Sequence, residues 1–85
     1  MEVVYEKDHQ RTAAYDNGNL VGRCMYEEED GKWNISHTIV DEDYRGQGAA
    51  RELVDLLLDE ADKAKVEVIP TCSYAKKIYE ERNNK

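Results

Sequence analysis

The chain has 85 residues, 40% of them apolar, and a formal net charge of −7 from 12 Lys and Arg against 19 Asp and Glu. That length accommodates one domain, residues 1–85, with a modest core and with ligands held in a groove rather than a deep enclosed pocket. An acidic chain with no basic run beyond two residues, no export-signal core and no apolar run of spanning length excludes general nucleic-acid and membrane binding and predicts a cytoplasmic protein.

In chain order, residues 2–7 (EVVYEK) and 11–16 (RTAAYD) carry β-branched and aromatic residues between polar breaks and predict two strands. Asn17-Gly18-Asn19 predicts a hairpin turn, because Asn-Gly tolerates positive φ. A third strand follows over 20–29, an Asp30-Gly31 turn over 30–32, and a fourth strand over 33–40. Strict alternation in that strand sends Trp33, Ile35, His37 and Ile39 to one face and Asn34, Ser36, Thr38 and Val40 to the other. From about Gln47 to Lys65 the period changes. Ala50, Leu53, Val54, Leu57, Ala61 and Ala64 form an apolar stripe, with Glu52, Asp55, Asp59 and Asp62 mostly opposite. Residues 66–70 predict a short strand ended by the only proline, and 73–84 a second helix with Tyr74 and Ile78 on one side. The order is ββββαβα, an α+β domain whose first half is an antiparallel meander.

Six tyrosines and no phenylalanine mean that much of the aromatic packing must also satisfy a hydroxyl. The two cysteines, Cys24 and Cys72, lie far apart without a CxxC motif, which argues against a zinc site or a disulfide framework, and no metal is expected. The acidic run Glu27 to Asp30 reads as a solvated hairpin tip; an acidic surface attracts cationic amines and also keeps a small domain soluble.

The segment DEDYRGQGAARELV (41–54) places two glycines where the fourth strand turns into the long helix. A first helical turn has N–H groups without intrahelical partners and carries partial positive charge. Small residues at 46 and 48–50 let an anion reach those donors, which is the chemistry of holding a phosphate or pyrophosphate. The spacing fits neither a P-loop nor a dinucleotide fingerprint. The same glycines also serve a plain tight turn.

Arg45-x-x-Gly48-x-Ala50 resembles the acetyl-CoA signature (Q/R)-x-x-G-x-(G/A) of the GNAT acetyltransferase superfamily. HTIVDEDYRGQGAARELV…IPTCSYAKKIY is similar to the small stand-alone GNAT-like proteins of the YjdJ type, over roughly residues 20 to 80. The resemblance implies a minimal GNAT fold in which the fifth strand runs parallel to the fourth and the two splay apart. It implies that Arg45, Gly46, Gln47, Gly48, Ala49 and Ala50 embrace the pyrophosphate of acetyl-CoA, with Thr38, Ile39 and Val40 beside the pantetheine arm. Arg51, Lys76 and Lys77 are candidates for the outer phosphates or ordinary solvated helix charge.

Acetyl transfer to an amine needs a neutral amine, a polarised carbonyl and a proton for the leaving thiolate. The superfamily often draws that proton from a tyrosine in N-x-x-A-x-x-x-Y. Here residues 72–79 read CSYAKKIY, so Ala75 and Tyr79 match and Cys72 stands at the asparagine position. Tyr79 is thereby the matched general-acid candidate, or half-buried packing. Cys72, just before a helix, is a candidate nucleophile or a thiol lining the cofactor cleft. His37 is a candidate base or a hydrogen-bonded core residue, and Cys24 reads as packing. Set beside larger relatives, the sequence is expected to lack the early helices and the closing hairpin that normally shape the acceptor site. The resulting expectation is an acetyl-CoA-dependent N-acetyltransferase acting on a small amine or peptide, as a monomer or weak dimer. A non-catalytic acyl-CoA-binding or sensing module and a small interaction domain with a vestigial loop remain as alternatives.

Overall fold

The computed structural model describes residues 1–83. Five strands form one sheet in the order β1-β2-β3-β4-β5: β1 Glu2–Glu6, β2 Arg11–Asp16, β3 Asn19–Glu29, β4 Lys32–Val40 and β5 Glu67–Pro70. The first four pair antiparallel and β5 joins β4 in parallel. Helix α1 (Ala49–Ala64) makes the crossover between β4 and β5, and helix α2 (Ser73–Asn83) follows β5. Asn84, at the end of the expected second helix, lies outside the described residues.

Local chemistry accounts for the turns. Asn17 and Gly18 sit at φ 51° and 82°, and Asp30 and Gly31 at 52° and 76°, the left-handed pairs that match the twist of two-residue hairpins. Helix α1 ends on a left-handed Lys65, whose N–H bonds the Asp62 carbonyl at 3.1 Å while the Val66 N–H bonds the Ala61 carbonyl at 3.1 Å, so that carbonyls of the last turn are satisfied.

Both helices pack on one face of the sheet. Leu53, Val54, Leu57, Leu58 and Ala61 of α1 and Ala75 and Ile78 of α2 form a single core with Ala14, Cys24, Tyr26, Trp33 and Ile35. Each large aliphatic side chain buried there contributes about 1.5–3 kcal/mol. The stripe is rotated from the sequence expectation: Ala49 and Leu58 are buried, whereas Ala64 is exposed and Ala50 only half-buried. Thr12, fully buried, donates to the Leu53 carbonyl at 2.8 Å and ties α1 to the sheet. The expected tyrosine chemistry is present as a hydroxyl pair, Tyr5 to Tyr26 at 2.9 Å, with Tyr26 stacked on Trp33 at 4.1 Å between ring centroids. The acidic residues of α1 are not simply solvated. Asp55 and Asp59 hold Arg82 of α2 at 3.3 and 2.7 Å, clamping the two helices side by side.

One feature of β4 corrects the expected alternation. The register with β3 runs Met25 to His37 and then Tyr26 to Ile35, so Ser36 is an extra residue in a β-bulge. A bulge shifts a strand's phase by one residue. Trp33 and Ile35 face the helices, and beyond the bulge Thr38 and Val40 take that side, where Val40 packs on the core. His37 and Ile39 are turned to the uncovered face, and Ile39 is 44% exposed. His37 is therefore not in line with Trp33 and Ile35.

Candidate functional site

Strands β4 and β5 part company at the bulge. Their parallel pairing ends at Ile35 and Pro70, a residue without an N–H to continue the ladder. The N–H groups of Thr71 and Cys72 both turn back to the Ile35 carbonyl, at 3.2 and 3.0 Å. From Ser36 to Val40, β4 runs on with β3 on one side and no β5 partner on the other. This opening continues into a groove of about 510 Å³ whose walls are Thr38, Ile39 and Val40 of β4, Tyr44 to Gly46 and Gly48 of the loop, Ala49 and Ala50 of α1, and Tyr74 of α2.

The floor of the groove is set by the loop. Asp41 N–H bonds the Val21 carbonyl at 2.8 Å, a single 3-10 turn spans Glu42–Tyr44, and the Tyr44 hydroxyl donates to Asp16. That bond raises the Tyr44 pKa, with burial adding to it, because the neutral phenol is the form that donates to the carboxylate. Gly46 and Gly48 then adopt φ of 84° and 81°. A Cβ built on either would meet nothing within 4 Å, so these glycines serve the left-handed backbone and not a crowded approach. They also delay the helix, which begins at Ala49 rather than Gln47. Its first internal bond is Glu52 N–H to the Gly48 carbonyl at 3.0 Å, which leaves the Ala49, Ala50 and Arg51 N–H groups without intrahelical acceptors. Gly48, at the N-cap, has no side chain to cap them. They form the positive end of a sixteen-residue helix facing the groove.

The predicted residues divide into two groups. Thr38, Ile39, Val40, Arg45, Gly46, Gly48, Ala49 and Ala50 line the groove together. Gln47 does not: its amide turns back to the Asp43 carbonyl at 3.3 Å. Arg51 faces the outer seam between the helices, 3.0 Å from Glu81 and 3.7 Å from Asp55. Lys76 and Lys77 lie on the outside of α2 with Glu80 and Glu81.

Cys72, Tyr79 and His37 do not converge. Cys72 is half-buried at the start of α2, where its carbonyl accepts the Lys76 N–H at 2.9 Å. Its thiol lies 3.7 Å from the hydroxyl of Thr38, a groove residue. Burial acts to raise the Cys72 pKa, but hydrogen bonds from the Ala75 backbone, the Thr38 hydroxyl and the Tyr74 backbone outweigh it and hold the thiol below its ordinary value. His37 is exposed on the uncovered face, with Nδ1 3.0 Å from the Ser36 hydroxyl. Tyr79 packs against the core and lines a separate small cavity of about 110 Å³ with Leu58, Val66 and Val68. The cause is helical geometry. Tyr79 stands seven residues after Cys72, about two turns along a helix that runs back beside β5.

Two groove residues were not anticipated. Tyr44 lines it from the loop, and Tyr74, 41% exposed, closes its far side. The YRGQG stretch signalled the first by adjacency to the glycines. Nothing local signalled the second, because it depends on where α2 lands. No group of three or more His, Cys, Asp or Glu among the described residues is placed to hold a metal ion.

This geometry has a counterpart among known proteins. Residues 10–85 match the profile of the GCN5-related N-acetyl-transferase family. The chain belongs to that family. No curated protein matches the sequence significantly. Among solved structures, the ribosomal-protein-alanine N-acetyltransferase of Brucella melitensis biovar Abortus 2308 is similar at 27% identity and a TM-score of 0.65, over 84% of this chain and 59% of that one. Glucosamine-6-phosphate N-acetyltransferase from Arabidopsis thaliana aligns at 22% identity and 0.62, over 85% and 56%. A predicted acetyltransferase from Clostridium acetobutylicum, solved with acetyl-CoA, aligns at 15% and 0.62, over 88% and 56%. The last two establish the shared fold. This member of the GCN5-related family spans little more than half the length of these structures. It carries the parted β4 and β5, and the glycine loop at the start of the crossover helix, on one five-stranded sheet.

Proposed function

We propose that this chain binds acetyl-CoA in the groove between β4 and β5 and moves its acetyl group to a primary amine. The observation that carries the reading is the juxtaposition of an unpaired strand edge with bare helix-terminal amides in one groove. The diphosphate would be held by the N–H groups of Gly48 to Arg51, with Arg45 as the cation at the groove wall. Thr38 to Val40 offer main-chain hydrogen bonds of the kind a pantetheine amide accepts and donates. Bound acetyl-CoA supplies an activated thioester. The chain's own groups near the point where the strands part are the Cys72 thiol and, on the opposite face, the imidazole of His37.

In this reading the acceptor approaches from the face of the sheet that no helix covers. There Asn34, hydrogen-bonded to Thr71, lies with Ser36 and His37 around the strand opening. His37 takes the proton from the incoming amine as the new C–N bond forms, and Cys72, on the thioester side of the opening, gives its S–H proton to the departing thiolate as the C–S bond breaks. Tyr79 has a packing role. An uncovered acceptor side suits an amine on a flexible peptide or polyamine better than a small metabolite that must be enclosed.

The separation of His37, Cys72 and Tyr79 favours a second reading, an acyl-CoA-binding module without turnover. Two measurements divide the cases. Amide shifts during an acetyl-CoA titration should move at residues 45–51, and stillness there refutes both readings. Release of free CoA against a panel of amines should exceed hydrolysis and fall in His37→Ala and Cys72→Ala. Binding without any amine-dependent release leaves the module.

A further inference from the structure

Behind Cys72 lies a second thiol that the proposed chemistry does not use. Cys24 is fully buried in the middle of β3, and its register partner across the ladder is Thr38. The bulge at Ser36 turns Thr38 inward, between the two cysteines. Its hydroxyl donates to the Cys24 sulfur at 3.4 Å and lies 3.7 Å from the Cys72 sulfur, which donates to it. The order Cys72 S–H, Thr38 O–H, Cys24 Sγ is a directed chain running from the start of α2, past the groove wall at Thr38, into the core.

A threonine hydroxyl has one hydrogen to donate and two lone pairs to accept with. When Cys72 ionises, it ceases to be a donor, and its thiolate can take a further one beside the Ala75 and Tyr74 backbone groups. The Thr38 hydroxyl answers by turning from Cys24 to Cys72. Its oxygen then requires a donor in return, and the Cys24 S–H is the group in place to supply one. Cys72 gives up its own proton, Thr38 and Cys24 keep theirs, and the direction of the two hydrogen bonds reverses. We propose that Cys24 is a positioning residue, which backs the Thr38 hydroxyl as a hydrogen-bond donor to the Cys72 thiolate.

Cys24 is suited to this part because it does not itself ionise. Burial pushes its thiol up to about 11, so it keeps the hydrogen it must donate. The other titratable side chains on the elements around Cys72 lie differently. Lys76, Lys77, Glu80 and Glu81 are on the outer surface of α2, Arg82 pairs with Asp55 and Asp59, and Tyr79 lines the separate small cavity. Lys32 and Glu67 pair with each other, His37 faces the uncovered side of the sheet, and Tyr44, Arg45 and Tyr74 line the open groove. Cys24 alone among them is joined to Cys72 through a shared hydroxyl. Use of the Cys72 thiolate in turnover rests on the function proposed above; the relay itself does not.

The test is the pH profile of Cys72 alkylation by iodoacetamide in the ligand-free full chain, read by peptide mass spectrometry so that each cysteine is scored separately. In Cys24→Val the thiolate fraction at neutral pH should fall about threefold, and in Thr38→Val about tenfold, as expected for loss of a supporting and of a direct hydrogen bond. Cys24→Ser, which keeps a donor, should restore the wild-type profile. If Cys24→Val does not fold, Cys24→Ala against Cys24→Ser gives the same comparison. An unchanged profile in the apolar variants, or a serine variant that behaves like valine, overturns the relay. Because no acetyl-CoA is present, a failure of acetyl transfer leaves this titration intact and counts against the proposed function alone.

Discussion

Replacing Gly48 by valine tests the groove at its most exposed assumption. Gly48 holds φ at 81° in the position that caps α1, and an added Cβ would meet nothing within 4 Å. Collision therefore contributes nothing, and the whole penalty is backbone strain. For an L-residue in the left-handed region that is about 1–2 kcal/mol, at the upper end for a β-branched side chain. In a domain of this size the loss lowers the melting temperature by about 4–8 °C per kcal/mol. If the loop relaxes instead, the amides of residues 48–51 leave the groove. Restoring them on binding then costs the same energy, an affinity loss of about 5- to 30-fold for acetyl-CoA. Gly48→Asn should lose least, since asparagine tolerates this region, and Gly48→Ala should fall between. Gly18→Val supplies the control. Gly18 has φ 82° and open surroundings in a hairpin, so the stability loss should match while affinity stays within about twofold. Calorimetric titration and thermal melts on the four variants decide the matter. Wild-type affinity in a Gly48→Val variant whose amide shifts at residues 48–51 show the loop displaced refutes the assignment of the diphosphate to these amides. An undiminished melting temperature refutes the strain argument itself.

Other outcomes follow from the packing and the charges. Gly22→Ala places a methyl 3.2 Å from Leu53 Cδ1 and 3.3 Å from Val40 Cγ2, where α1 packs on the sheet. It should cost about 1–3 kcal/mol in urea denaturation, and a neutral result would mean that α1 sits further out. Thr12→Val removes the buried hydroxyl bonded to the Leu53 carbonyl and should cost about 1 kcal/mol by the same assay. Hydrogen bonds from Tyr15 and Arg11 lower the Glu6 pKa below its usual 4.5. A carboxylate with a depressed folded pKa contributes stability in full above the unfolded value, and the contribution is lost as pH falls through the folded one. Glu6→Gln should accordingly destabilise at neutral pH and flatten the decline of stability below about pH 4.5, whereas parallel acid limbs would refute the assignment. Saturating acetyl-CoA should protect Cys72 from alkylation and leave Cys24 unreactive with or without ligand; an unprotected Cys72 places the thioester elsewhere.

Much of this protein was legible as text because the signals were local. Asn17-Gly18 and Asp30-Gly31 form the turns that their own φ preferences dictate. The change of hydrophobic period after residue 46 marked the crossover helix, and the spacing of Arg45, Gly48 and Ala50 marked the groove they line. Each of these depends on neighbours within a few positions along the chain. Other features depend on partners far away in sequence, and there the tertiary structure decided. The bulge at Ser36 is a register event between two strands. With apolar residues at both 39 and 40, the sequence of β4 is compatible with either phase, and only the fit of Thr38 against Cys24 and of Val40 against the core selects one. That choice turned His37 outward. Arg51 was drawn from the groove side by Glu81 on the other helix, and Tyr79 was carried two turns past the strand opening by the direction of α2. Where a side chain points is set by whichever distant surface it must pack against or pair with, and a linear pattern does not contain that surface.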